Sequence, residues 1–133
     1  NYDFSFSGLK TAALRLLRSI APGYDPEHPG AVPLPVADLA ASFQAAVVEV
    51  LVGKAIRAAE AHNASEILIA GGVSANSLLR AEMIRQARRP VRVPPLSLCT
   101  DNAAMIAAAG YYRFLSGQRD SAGFDIRPNW PLA

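Results

Sequence analysis

The stretch EILIAGGVSANSLLRAEMIRQARRPVRVPP, Glu66 to Pro95, decides the fold. It opens on a short apolar, β-branched run, Ile67-Leu68-Ile69, and ends that run with Gly71 and Gly72. Glycine has no Cβ and turns without strain, so the run has the composition of a strand closed by a tight turn. VSANSLLRAEMIRQARR follows at once, with Leu79, Met83 and Ala87 spaced as on one face of a helix. After Pro90, VRVPP (Val91 to Pro95) reads as a second short strand. Strand, turn, helix and strand in that order predict an α/β domain with a mixed or parallel sheet.

The flanks extend the pattern. Downstream, LSLCTDN (Leu96 to Asn102) is a turn and Ala103 to Leu115 an alanine-rich helix, so the strand-turn-helix order occurs twice. Upstream, Val36, Leu39, Ala40, Phe43, Val47, Val50 and Leu51 recur every three to four residues and predict a long amphipathic helix from Val36 to Ala61. Before it, APGYDPEHPGAVPLP (Ala21 to Pro35) holds five prolines and two glycines and reads as a connecting loop, with His28 exposed in it. At the N-terminus, YDFSFS (Tyr2 to Ser7) alternates aromatic and polar residues, which predicts a half-buried strand ended by Gly8. A helix with Leu9, Ala13, Leu16, Leu17 and Ile20 on one side is expected next, and the tail GFDIRPNWPLA is expected to pack as an extended end.

A chain of 133 residues, 51% hydrophobic and 18% charged, is long enough for one compact core and is expected to hold one domain. No apolar run is expected to approach the roughly 18 to 20 residues of a membrane span, and the N-terminus lacks a basic region followed by an apolar one. The expected location is the cytoplasm, with no membrane partner. Cys99 is the only cysteine, so neither an intrachain disulfide nor a CxxC zinc site is available. The chain starts at Asn1 without an initiator methionine, as a piece of something longer would.

A net charge of +2 does not by itself announce nucleic acid. Its distribution is uneven: Arg80, Arg85, Arg88, Arg89 and Arg92 fall within thirteen residues, opposed in that span by Glu82. The cluster reads as a solvated helix face or as a set of phosphate contacts.

Both turns that follow strands lie where α/β proteins place their chemistry, outside the carboxyl ends of the strands. In GGVSAN (Gly71 to Asn76) the glycines admit close approach to the backbone, and the helix behind offers N–H groups to an anion. The pattern matches neither GxGxxG nor GxxxxGK[ST], and an ordinary glycine turn with Ser74 or Asn76 as helix cap accounts for it equally. In CTDN, Thr100, Asp101 and Asn102 could each cap the alanine helix, yet one cap is enough. The surplus carboxylate is of the type that binds a metal or orients a water. His28 and His62 form no HxxxH or HExxH pair and no triad order, so any partner ligands of Asp101 lie outside this chain.

DFSFSGLKT (Asp3 to Thr11), GGVSAN with LLR (Gly71 to Arg80) and CTDNAAMIA (Cys99 to Ala107), in that order over about 105 residues, resemble the C-terminal half of the universal tRNA adenosine threonylcarbamoyltransferases, formerly described as O-sialoglycoprotein endopeptidases or glycoproteases. The terminal RPNWPL shares the likeness. The resemblance implies the two-lobed superfold of actin, Hsp70 and the sugar kinases, with a ribonuclease-H-like α/β unit in each lobe. Residues 1–133 would be the second lobe, and the first lobe is absent. It implies transfer of a threonylcarbamoyl group from threonylcarbamoyl-AMP to the exocyclic amine of the tRNA adenosine 3′ of the anticodon, releasing AMP. By motif match, Asp101 is the catalytic carboxylate on one divalent metal ion, iron or zinc. Gly71, Gly72 and Asn76 contact the adenylate, and the histidine partners of the metal belong to the first lobe, so the fragment alone is expected to be inactive. Arg80, Arg85, Arg88 and Arg89 are candidate tRNA contacts, assembly subunits are expected partners, and Lys10 carries no assigned role. Three alternatives stand beside this: a kinase of the same superfold, a non-catalytic nucleotide-binding or assembly subunit, and the older peptidase description, for which no nucleophile-base pair is present.

Overall fold

The structure, a computed structural model, describes residues 1–25, 27–28, 30, 32–119, 121 and 123. Along the chain run α1 (Phe6–Ile20), α2 (Val36–Ala61), β1 (Ile67–Leu68), α3 (Ser77–Gln86), β2 (Val91–Arg92) and α4 (Ala103–Leu115). A 3₁₀ turn over Gly72–Ala75 precedes α3, and another over Leu96–Leu98 precedes α4.

β1 and β2 pair in parallel, Ile67 opposite Val91 and Leu68 opposite Arg92. The Ile67 amide donates to Pro90 O (2.9 Å) and the Ile69 amide to Arg92 O (3.0 Å). Helix α3 is therefore the crossover of a parallel βαβ unit, as the Glu66–Pro95 pattern predicts. β2 is shorter than VRVPP because Pro94 and Pro95 have no N–H to give to a ladder. Helix α3 stops at Gln86, short of the predicted Arg89: Ala87 is already extended (ψ 135°), and Pro90 keeps the residue before it out of helical conformation.

The core forms where α2 crosses α3. Val48, Val52, Leu79 and Met83 are buried together, with Leu51, Ala55, Ile56, Ile67 and Val91 packed around them. Val52 is the centre, at 0% exposure. The expected apolar stripe of α2 is thus corrected: Val36 and Val50 are exposed, and the core uses Val48 and Val52 instead. The helix is apolar nearly all round between Val47 and Val52, so its periodicity marks two faces at once. The second face, with Leu39, Phe43 and Ala46, lies along Leu9, Leu16 and Leu17 of α1, leaving an open apolar groove of about 410 Å³. By length and composition α2 also passes as a membrane span, with mean hydropathy 1.6 over 18 residues. The expectation that no apolar run approaches a span is thus corrected, since Glu49 and Lys54 interrupt the helix without lowering its mean hydropathy below that of a span.

The predicted strand Tyr2–Ser7 does not form. Among the described residues no strand pairs with it, and a lone alternating segment has nowhere to place its ladder groups. Instead Ser5 caps α1, its Oγ accepting from the Gly8 amide at 3.4 Å, so that Gly8 lies inside the first helical turn rather than at a strand end. The Phe4 and Phe6 rings meet edge to face at 4.4 Å. Helix α4 keeps its predicted bounds but buries none of its residues: Met105, Ile106, Tyr112 and Phe114 are all exposed. The predicted extended packing of the tail from Phe124 onward lies outside the described residues.

Candidate functional site

Parallel pairing of β1 and β2 puts the carboxyl ends of both strands at one edge, so the two suspect turns leave the sheet on the same side. Each ends in the same device. Asn76 Oδ1 accepts from the Leu79 amide at 3.0 Å, and Asn102 Oδ1 accepts from the Met105 amide at 3.0 Å. In each case an asparagine three residues before the donor satisfies one of the helix's orphan N–H groups.

The first turn is closed on itself. Gly71 has φ +83°, a conformation that favours glycine, and the space beside Gly71 and Gly72 is open: no heavy atom stands within 4 Å of where a Cβ would be. Ser74 is the buried polar residue of the chain's described part, at 1% exposure, and its hydroxyl donates to Gly71 O at 2.6 Å. Ser74 is thus a turn-closing residue and Asn76 the cap.

The second turn divides its polar residues. Asn102 is the cap, and its Nδ2 also donates to Thr100 O at 2.9 Å. Thr100 and Asp101 are exposed. Among the described residues the Asp101 carboxylate accepts no hydrogen bond and pairs with no cation. It is uncommitted to the fold. As a metal ligand it would stand alone in this chain, since among the described residues no three His, Cys, Asp or Glu side chains come together. His28 is exposed, its Nδ1 2.7 Å from Asp25 Oδ2, and His62 is the C-cap of α2 against the Tyr2 ring.

Arg80 joins the turns. Its Nε donates to Ser74 O and its Nη2 to Cys99 Sγ, the latter at 2.8 Å. Cys99 is 2% exposed, and its thiol also lies 3.4 Å from Pro95 O. Spacing alone groups Arg80 with the basic cluster, and only its place one turn into α3 from Asn76 hints that it faces inward.

The remaining arginines are exposed. Arg85 bonds both oxygens of Glu82, the closest contact 2.6 Å. Arg85, and secondarily the Gln86 amide, hold the Glu82 carboxyl below its ordinary pKa, and Glu82 in turn raises Arg85. Arg92 pairs with Glu66 at 2.8 Å and is raised by it. Arg89 donates to Asn63 Oδ1 at 2.9 Å, while Arg88 pairs with no acidic side chain among the described residues. Two of the five clustered positive charges, Arg85 and Arg92, are therefore balanced by a neighbouring carboxylate.

The family model of tRNA N6-adenosine threonylcarbamoyltransferase matches residues 1–108. A protein of that name from Dehalococcoides mccartyi is 52% identical over 96% of this chain and 36% of its own length. One from Thermomicrobium roseum is 49% identical over 99% of this chain and 40% of its own length. One from Listeria innocua is 44% identical over 96% of this chain and 37% of its own length. The chain thus spans well under half the length of these relatives.

Proposed function

The chain belongs to the tRNA N6-adenosine threonylcarbamoyltransferase family, and from that premise we propose that it is the C-terminal lobe of a two-lobed transferase of the actin, Hsp70 and sugar-kinase superfold. The full protein forms threonylcarbamoyladenosine in tRNA: the adenosine N6 bonds to the threonylcarbamoyl carbonyl carbon, that carbon's bond to the phosphate oxygen breaks, N6 gives up a proton, and AMP leaves. The observation that carries this reading is Asp101, exposed at the head of α4 with its capping duty already met by Asn102.

Each residue has a role its chemistry can fill. Asp101 holds one position of a divalent ion, iron or zinc, whose remaining protein ligands come from a histidine pair of the first lobe. When bound, the ion supplies positive charge to phosphate and carbonyl oxygens. The open backbone at Gly71 and Gly72 receives the adenylate, as glycine turns at helix starts receive anions. Asn76 spends Oδ1 on its cap, which leaves its Nδ2 donor for the nucleotide. Backbone donors of this kind act best where charge develops, and AMP is the group on which charge grows. Arg85 on α3 and Arg88 and Arg89 just beyond its end face solvent and are the candidates for tRNA phosphate, with assembly subunits as further partners and the cytoplasm as the site of action.

The test is reconstitution. The 133-residue chain alone, given tRNA and threonylcarbamoyl-AMP, should yield no modified nucleoside, and the same chain joined to a first lobe should yield it with AMP in equal amount. Turnover by the chain alone would overturn the proposal. Charge reversal at Arg88 and Arg89 in the joined protein should flatten the salt dependence of tRNA binding, by about one unit of slope for each phosphate that is no longer neutralised.

A further inference from the structure

Hydrogen bonds run without a gap from one turn to the other. Ser74 Oγ donates to Gly71 O at 2.6 Å, Arg80 Nε donates to the Ser74 carbonyl, Arg80 Nη2 donates to Cys99 Sγ at 2.8 Å, and the Cys99 amide donates to Leu96 O at 3.1 Å. The guanidinium offers donors in a rigid planar fork, so two acceptors held by it are fixed relative to each other. Its two acceptors belong to different turns. One is the carbonyl of a residue at 1% exposure and the other the sulfur of a residue at 2% exposure, so neither end can drift without opening buried structure.

From this we infer that Arg80 is a positioning residue, a strut that sets the adenylate turn at Gly71–Asn76 against the carboxylate turn at Cys99–Asn102. It is thereby distinct from the tRNA-facing arginines with which the sequence groups it. The inference deepens the proposed function, since it assumes that the first turn holds nucleotide and that Asp101, two residues beyond Cys99, faces the same ligand. Asp101 itself has no bond among the described residues to hold it in place. Its position follows from that of Cys99 behind it and Asn102 ahead of it. The strut acts on Cys99, and the cap fixes Asn102.

Two measurements on the intact two-lobed protein test the strut. The first needs no ligand: amide hydrogen exchange in Arg80→Met, which keeps the apolar stem and removes both donors. Exchange should rise at least tenfold at Ser74–Asn76 and at Cys99–Met105 together, with Val52 and Met83 in the core unchanged. The second is the dissociation constant for AMP. Arg80→Met and Cys99→Ala should each weaken it about tenfold, and the double variant should be no weaker than either single, because both cut the same link. Cys99→Ser, whose hydroxyl still accepts a hydrogen bond, should stay within threefold of wild type; should Arg80→Met fail to fold, the Ala and Ser variants at Cys99 carry the test. Additive losses, or unchanged exchange at Cys99–Met105, would overturn the strut. A wild-type protein that binds no AMP would instead sink the proposed function, and the exchange measurement would still decide whether Arg80 joins the turns.

Discussion

The two turns begin alike and end differently. Each leaves a short parallel strand, passes through a 3₁₀ turn and enters a helix capped by an asparagine at 3.0 Å. The first is knit into the core: Ser74 is buried, and Leu79 and Met83 carry its helix onto α2. The second leads into α4, which buries nothing, and presents a carboxylate that the chain's own fold does not use. The first turn spends its side-chain oxygens at Ser74 and Asn76 on folding and leaves open only backbone and the Asn76 Nδ2. A turn with a charged group to spare calls for something beyond this chain, and an alanine helix with exposed Met105, Ile106, Tyr112 and Phe114 points the same way.

The largest difference should appear in stability. Leu79→Ala, behind the first turn, removes a side chain 5% exposed and should destabilise the chain by about 2 to 5 kcal/mol in urea unfolding. Ile106→Ala, behind the second, removes one 68% exposed and should change it by about 0.5 kcal/mol or less. Equal losses would mean that α4 is as well packed as α3 and would break the comparison.

The caps should behave alike. Asn76→Ala and Asn102→Ala each delete one side-chain acceptor at a helix start, worth about 1 kcal/mol with a range of about 0.5 to 2. A much larger loss at Asn76, measured the same way, would show that the buried turn depends on its cap for more than one amide.

A smaller effect contrasts a paired carboxylate with the unpaired one. Glu82, on the helix behind the first turn, has its pKa lowered first by Arg85 and then by Gln86. A lowered folded-state pKa contributes stability that is present above the unfolded value and is lost as pH falls through the folded one. Glu82→Gln should therefore flatten the acid limb of the pH–stability curve slightly, and 1 M salt should erase much of the difference because the pair is exposed. An acid limb unchanged at low salt would remove Glu82 from the account.

The order of the crossover unit was legible in the sequence because a β-branched run, a glycine pair, helical spacing and a proline before the second strand agree on it, while its ends were not, since the 3₁₀ turn at Gly72–Ala75 and the extended Ala87 shorten α3. Ala103–Leu115 was legible for the same reason, since Asn102 and the alanine run coincide. Tyr2–Ser7 misled because alternation is a local pattern, whereas a strand needs a partner, and Ser5 with Gly8 three residues on offered a helix start instead. The face of α2 was half legible, as a helix apolar nearly all round has no single stripe to read. At the site, the surplus of polar residues in CTDN could be counted from sequence, and the geometry assigns the cap to Asn102. The inward turn of Arg80 could not be read, because charge alone does not tell a surface guanidinium from one that joins two loops.

The central proposal is that Asp101 serves a metal and not the helix, and Asp101→Asn in the full-length protein tests it most directly. The amide keeps the size and the helix start, so the apo melting temperature should hardly move, by no more than a helix-end charge of about 0.3 to 1 kcal/mol allows. A neutral amide is a poor ligand for a divalent ion, so metal per subunit, measured on the same preparation, should fall far below that of wild type, and threonylcarbamoyl transfer should fall with it. Wild-type metal content and full transfer in the Asn variant would contradict the account and leave Asp101 as one more polar residue in front of a helix.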